Sequence, residues 1–430
     1  MCEDHQDPFH VHIELLQPPP VEPGGGAVGT ANGDQPLTLK DRFEGGEHQW
    51  LGMLGATAAC AGNEEKLEML RGLRRPNDKS VLTYGEIVAL SGDFYGTPEE
   101  LLLEKPATFP WLPKTNDLAR LQAAFKKELT WIRDENRPRS AGYPDNTLTF
   151  VWTAKSYIEL AEDNTAHFGW HNLVKYCEHH GQAIRYALKA KSQTASDENW
   201  MRAIFYNGFA DHFLTDGFAA GHIRVPREEI RTWALTKGYS GKLAGLLSKV
   251  LHDQDGHVST FHAQGEGPIS TSEGLPVQNS RNIKWSTRCD GQLFLVPSKE
   301  DAPLIAEPVA AVAASLSELF EAQQEQRVPD GEYRALQYVP FPDPSAPALS
   351  QKFADTSPAR LEKLLKSFKW YTEVPFIEAS LNDDNIRSLF EALPVLMKSF
   401  AHNVGVAYSA SADLRKRLPK PYVTAFKNIS

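Results

Sequence analysis

His212 and Asp216 stand four residues apart in N-G-F-A-D-H-F-L-T-D-G-F-A-A-G-H-I-R, the run from Asn207 to Arg224. On a helix this spacing projects an imidazole and a carboxylate from one face, one turn apart. Set among Phe209, Phe213, Leu214 and Phe218, such a pair is the beginning of a zinc-type site, because it offers nitrogen and oxygen ligands in apolar surroundings. Gly217 and Gly221 can break the helix and let His222 reach the far side of Asp216. A carboxylate between two imidazoles is placed to bridge two cations. On spacing alone, a helix-surface ion pair is the commoner explanation of His212 and Asp216. The other candidates are Asp93, His167 and His252, the last followed by Asp253 and Asp255.

The elements that must hold these residues are helical. Glu47 to Ala59 has Trp50, Leu51 and Leu54 at core-facing spacing, with His48 at its start, where a lone histidine reads first as a capping or surface group. Thr83 and Glu86 form a capping-box pattern that opens a short helix to Leu90. Gly92 to Gly96 then predicts a tight turn carrying Asp93, and Thr97-Pro98 starts another helix. Helices are also predicted over Asn116–Ile132, Phe150–Glu162, Asp197–Phe218, Leu243–Leu251 and Ala302–Gln324. Between Val258 and Gly291 the chain turns rich in Gly, Ser, Thr and Pro, which predicts loop with a short β-hairpin. The fold expected is mainly α, with ligands on separate helices as in metal sites built within helix bundles.

Residues 1–40, with Pro18 to Pro20 and V-E-P-G-G-G, read as a mobile arm, and its His5, His10 and His12 as incidental. Residues 41–326 then form the main domain, 327–350 a proline-rich linker, and 351–430 a small C-terminal appendage of unassigned role. A length of 430 residues allows a large core, and 41% apolar with 23% charged residues is a globular composition. The net charge of −10 argues against binding nucleic acid through a basic surface. No uninterrupted apolar run is long enough to span a bilayer. Cys2, Cys60, Cys177 and Cys289 are scattered, without a C-x-x-C pair, so any metal must be held by histidine and carboxylate. The acidic N-terminus lacks a secretory signal pattern; the expectation is a protein cytoplasmic when made and exported, if at all, by a signal-independent secretion system.

The order Asp93, His167, His212-x3-Asp216-x5-His222, His252 resembles the zinc-dependent phospholipase C and single-strand nuclease superfamily. F-L-T-D-G-F-A-A-G-H-I-R, A-L-S-G-D-F-Y-G and L-H-D-Q-D-G are most similar to a bacterial subgroup of zinc metallophospholipases C, over residues 45–295. The resemblance implies one Zn²⁺ held by Asp93, His167, His212 and the bridging Asp216. It implies a second held by His222, His252 and a following carboxylate. The family's carboxylate falls where this chain has Gly256, so Asp255 is the expected ligand and Asp253 the fallback. A third Zn²⁺ would use His48; the family's N-terminal Trp is absent here. His171, His179, His180, His257, His262 and His402 match no role and read as surface or supporting groups.

The implied chemistry is hydrolysis of a phosphodiester by metal-activated water, with Asp93 orienting or deprotonating that water as well as ligating. The implied partner is a phospholipid membrane surface as substrate, with no stable nucleic-acid partner, and a secretion apparatus or an inhibitor/immunity protein as further partners. Phe94, Tyr95, Phe168, Trp170 and Phe218 suit a lipid headgroup, though most are expected in the core. A single-strand nuclease on the same metals is the alternative, as is a non-catalytic effector with structural zinc. Seven ligands exceed what one closed, four-coordinate structural site needs, which favours catalysis.

Overall fold

The computed structural model describes residues 45–104, 117–134, 164–256, 274–288, 302–367 and 381–429, with scattered positions between 144 and 160. The N-terminal arm and most of the expected Phe150–Glu162 helix lie outside the described residues. The protein is mainly helical. In chain order the first helices are α1 (Gly45–Ala59), α2 (Glu64–Arg71), α3 (Tyr84–Leu90), α4 (Pro98–Leu103) and α5 (Leu118–Arg133). The middle of the chain forms α6 (Trp170–Ala187), α7 (Glu198–Asp216), α8 (Ala220–Ile223), α9 (Arg227–Thr236) and α10 (Gly241–Gly256). After a hairpin come α11 (Ala302–Glu325), α12 (Leu349–Lys352), α13 (Pro358–Ser367), α14 (Asp383–Ala410), α15 (Ala412–Arg417) and α16 (Lys420–Lys427).

Local chemistry sets several of these boundaries. The Thr83 and Glu86 capping box is complete: Glu86 N donates to Thr83 Oγ1 at 3.1 Å, and Thr83 N donates to Glu86 Oε2 at 2.7 Å. Asp197 caps α7 by accepting from the amides of Asn199 and Trp200, satisfying donors that a helix start leaves unpaired. From Trp200 to Asp216 nearly every residue of α7 is buried, because α6, α3 and α11 surround it. A helix apolar on all sides belongs at the centre of its domain.

α11 is long and apolar enough to cross a bilayer by length and composition, although Glu307 and Glu318 interrupt it. It is a core helix instead. Most of that stretch is buried, packed against α1, α6 and α7. Its buried carboxylates have local partners; Glu307 accepts from Asn279 Nδ2 at 2.7 Å, and Glu318 accepts from the Arg334 amide at 3.2 Å through Oε1, while its Oε2 lies 3.4 Å from His180 Nε2.

Leu73–Arg74 and Val81–Leu82 pair as a small antiparallel ladder, β1 and β2. The expected hairpin is present as β3 (Leu275–Gln278) and β4 (Lys284–Thr287), with Val277 opposite Trp285. A third strand, β5 (Phe341–Pro342), joins β3 on its other edge. That strand comes from the stretch expected to be a linker. In place of an exposed tether, Tyr333, Leu336, Tyr338, Val339 and Phe341 are all buried. The expectation followed proline content; these prolines are interleaved with aromatic and aliphatic side chains that the protein covers. The C-terminal helices also pack on the main body, α14 against α9 and α15 against α6, with Asn403 Nδ2 donating to Glu229 Oε1 at 2.8 Å.

Candidate metal centre

Six elements bring the candidate ligands together. The last turn of α7 carries His212 and Asp216, and the chain then turns through Gly217 into α8, which carries His222. The turn after α3 supplies Asp93, a 3-10 turn (Asn164–His167) supplies His167, and the first turn of α1 supplies His48. His252 lies on α10. All are buried except Asp93, which keeps part of its surface exposed.

Asp216 is the hub. Its Oδ1 lies 3.4 Å from His48 Nε2 and 3.6 Å from His222 Nδ1. Its Oδ2 lies 2.8 Å from His167 Nδ1 and 3.7 Å from His212 Nε2. His167 Nδ1 in turn is 3.1 Å from His212 Nε2. Two groups have one ligand atom per residue all within 4.8 Å of one another: His48, His212 and Asp216, and Asp93, His167 and His212. Tetrahedral zinc with bonds of about 2.0–2.2 Å separates its ligand atoms by about 3.4 Å, so these spacings are those of a ligand shell. Asp216 Oδ2 is buried without an aligned hydrogen bond, although His167 Nδ1 is so near. An acceptor crowded by nitrogens yet off their N–H axes fits a cation better than a proton.

The Nδ1 hydrogen bonds fix the tautomers. Thr215 Oγ1 donates its one hydrogen to the Asp211 and His212 carbonyls, so it can only accept from His48 Nδ1, 2.7 Å away. His212 Nδ1 donates to Val88 O at 3.0 Å, and His222 Nδ1 to His167 O at 3.0 Å. Each of these three imidazoles therefore leaves Nε2 unprotonated; that of His212 lies 3.1 Å from His167 Nδ1, and His222 turns Nδ1 toward Asp216. Metal-binding histidines are held in this way, by a hydrogen bond from the other ring nitrogen.

Two glycines permit the crowding. Gly92, at φ +71°, makes the turn before Asp93, and a Cβ there would lie 2.6 Å from both His167 Cε1 and His212 Nε2. A Cβ on Gly221 would come within 2.4 Å of His252 Cδ2.

The electrostatics separate the carboxylates. Burial opposes ionisation of Asp216, but His212, His167 and His222 outweigh it and hold the carboxyl well below its usual range. Burial pushes the His212 imidazole far down, against the pull of Asp216. Asp93 is pushed up, first by desolvation and also by Asp216, against the pull of His167, His48 and His222.

His222 and His252 form a second, adjoining pair, their rings 4.9 Å apart and Phe168 stacked on His222 at 4.6 Å. The structure brings His48, Asp93, His167, His212, Asp216 and His222 into direct approach, with His252 beside His222. It places Asp255 elsewhere. Both Asp255 oxygens accept from Arg224, and Lys352 Nζ is 3.4 Å away, so its carboxylate faces two cations instead of the histidines. The side chain of Asp253 and residues His257 and His262 lie outside the described residues. His180, read as a surface or supporting group, is fully buried and bonded to Asn207 Oδ1 at 2.7 Å. Phe94, Tyr95, Phe168, Trp170 and Phe218 are all core residues.

Sequence reasoning missed Thr215 and the Val88 carbonyl. Thr215 was detectable in principle, since it sits three residues after His212 on the same helix; the carbonyl leaves no trace in residue type. The buried histidine and aspartate groups are able to hold a metal ion. The chain matches no protein-family model, no curated protein and no solved structure.

Proposed function

We propose that the protein is a zinc-dependent phosphodiester hydrolase, and within that class a phospholipase C that releases phosphorylated headgroup from glycerophospholipid. The observation that carries this reading is the convergence of the unprotonated Nε2 atoms of His48 and His212 on the oxygens of Asp216, beside Asp93 and His167. Imidazole-rich nitrogen and oxygen sets suit zinc, whereas all-oxygen shells suit calcium or magnesium. His48, Asp93, His167, His212 and Asp216 would hold the ions, with Asp216 shared, and His222 with His252 would hold a further one. Bound zinc supplies an acidified water and positive charge against the phosphate oxygens.

The chain's own residues do the rest. Asp216, ionised, draws the imidazoles onto one point. Asp93, partly exposed and pushed up in pKa, is placed to take a proton from an attacking water at a carboxylate oxygen. The Val88 carbonyl and Thr215 keep His212 and His48 in the tautomers this needs. Lipid is favoured over nucleic acid by the net charge of −10 and by the G-D-F-Y and A-A-G-H-I-R motifs. The aromatic residues, being core, support neither substrate.

The deciding experiment presents vesicles of phosphatidylcholine, phosphatidylethanolamine and phosphatidylglycerol, and separately single-stranded DNA, with and without chelator. Headgroup phosphate release that chelator stops is the expected result. Cleavage of DNA alone would replace the lipid reading, and hydrolysis indifferent to complete metal removal would end the metal mechanism.

A further inference from the structure

Arg224 lies two residues beyond His222, and Asp255 lies three beyond His252 on α10. Their side chains meet fork to fork: Arg224 Nε donates to Asp255 Oδ2 at 2.9 Å and Nη2 to Oδ1 at 2.8 Å. Both are buried. A bidentate pair of this kind fixes orientation as well as distance. Two groups reach it from the C-terminal part of the chain. Lys352, the last residue of α12, has Nζ 3.4 Å from Asp255 Oδ1 and donates to the Gln254 carbonyl. Arg224 Nη1 donates to the Pro347 carbonyl. Burial opposes ionisation of Asp255, but Arg224 and Lys352 prevail and hold it below its usual range. Two fixed positive charges against this carboxylate repel a divalent cation from it.

We infer that Asp255 is a positioning residue: with Arg224 and Lys352 it clamps the end of α8 to α10 and sets the separation of His222 and His252, making residues 347–352 part of the second metal position. This rests on the metallohydrolase reading and changes, within it, the role expected of Asp255. The clamp acts where close approach already matters, since Gly221 leaves no room for a Cβ beside His252. Losing one partner leaves a buried charge uncompensated, so α8 and α10 must shift.

The test counts zinc per full-length chain after loading and desalting, with melting of the metal-free protein as the control for folding. Asp255→Asn and the double variant Arg224→Met/Lys352→Met should each lose the same single equivalent of zinc and keep the rest. If Asp255 were a ligand, the double variant would free its carboxylate and retain that equivalent; this result overturns the clamp. Arg224→Lys keeps the charge without the fork and decides the matter should the double variant fail to fold. It should weaken the second position by about 10- to 100-fold, with little change in metal-free melting. Unchanged affinity in Arg224→Lys also overturns the clamp. Wild-type protein that takes up no zinc at all would sink the metal reading itself, whereas zinc-replete variants beside zinc-replete wild type sink the clamp alone.

Discussion

Asp211 and Asp216 lie on the same helix, both buried, and their surroundings are opposite in kind. Asp211 Oδ2 accepts from Tyr84 OH at 2.5 Å and from Asn207 Nδ2 at 3.3 Å. Asn207 extends this set to Ser315 Oγ at 3.1 Å and to His180 Nδ1 at 2.7 Å. Hydroxyl and amide partners are neutral, so burial prevails and pushes the Asp211 carboxyl up to about 7. Asp216 is ringed by imidazoles, and there the charged form prevails. Burial is common to both; the partners decide which carboxyl becomes a hydrogen-bonding member of the core and which becomes a standing charge that ligand chemistry can use.

The contrast breaks most completely at Asp216→Ala. Bound zinc should fall and chelator-sensitive headgroup release should drop by about 1,000-fold, the loss that several kcal/mol of charge stabilisation implies. Retention of full zinc content, measured by elemental analysis, would show that Asp216 is not the hub. Gly92→Ala comes next. The added methyl falls on His167 and His212 at a backbone angle that costs about 1–2 kcal/mol by itself, so both thermal stability and zinc affinity should decline. Wild-type zinc content in that variant would mean the turn and the imidazoles have room to spare. Chelation of the wild-type protein should lower its melting temperature, since metal binds the folded state alone; no shift would argue that the histidines hold nothing.

The smallest effect is expected at Asp211→Asn. Folded Asp211 keeps its proton up to about pH 7, whereas the unfolded side chain releases it near 3.8. Between those values the unfolded state binds fewer protons, so this group's stabilisation is full below pH 4 and is lost as pH rises toward 7, at no more than about 1.4 kcal/mol per unit. Asparagine mimics the protonated acid, so the variant should flatten that slope in urea titrations at pH 5 and pH 7 and leave zinc content unchanged. A steeper slope, or lost zinc, would erase the distinction between the two carboxyls.

Much of the fold and part of the site were legible. Helical spacing exposed His212 with Asp216, because a period of 3.6 residues converts sequence distance into a shared face. Turn chemistry placed Asp93 after α3, and the Thr83 and Glu86 cap was written in residue types. Other features depend on parts of the chain that meet only in the fold. Asp255 faces Arg224 and Lys352, the second nearly a hundred residues further on, and no local pattern announces that meeting. Residues 327–350 looked like a tether because proline marks irregular backbone, yet burial belongs to the side chains between the prolines. The tautomers of His48 and His212 rest on Thr215 and on a backbone carbonyl, which composition does not encode.

The packing of α1 against α11 has a consequence in time. His48 stands on α1, and that helix finishes its packing only when the stretch beginning at Ala302 has been made. At about 5–20 residues per second, synthesis of the chain between them takes on the order of tens of seconds. A nascent chain released or stalled before that point carries His212 and Asp216 but lacks the helix that settles His48 beside them, so the cluster is completed only after α11 has been made.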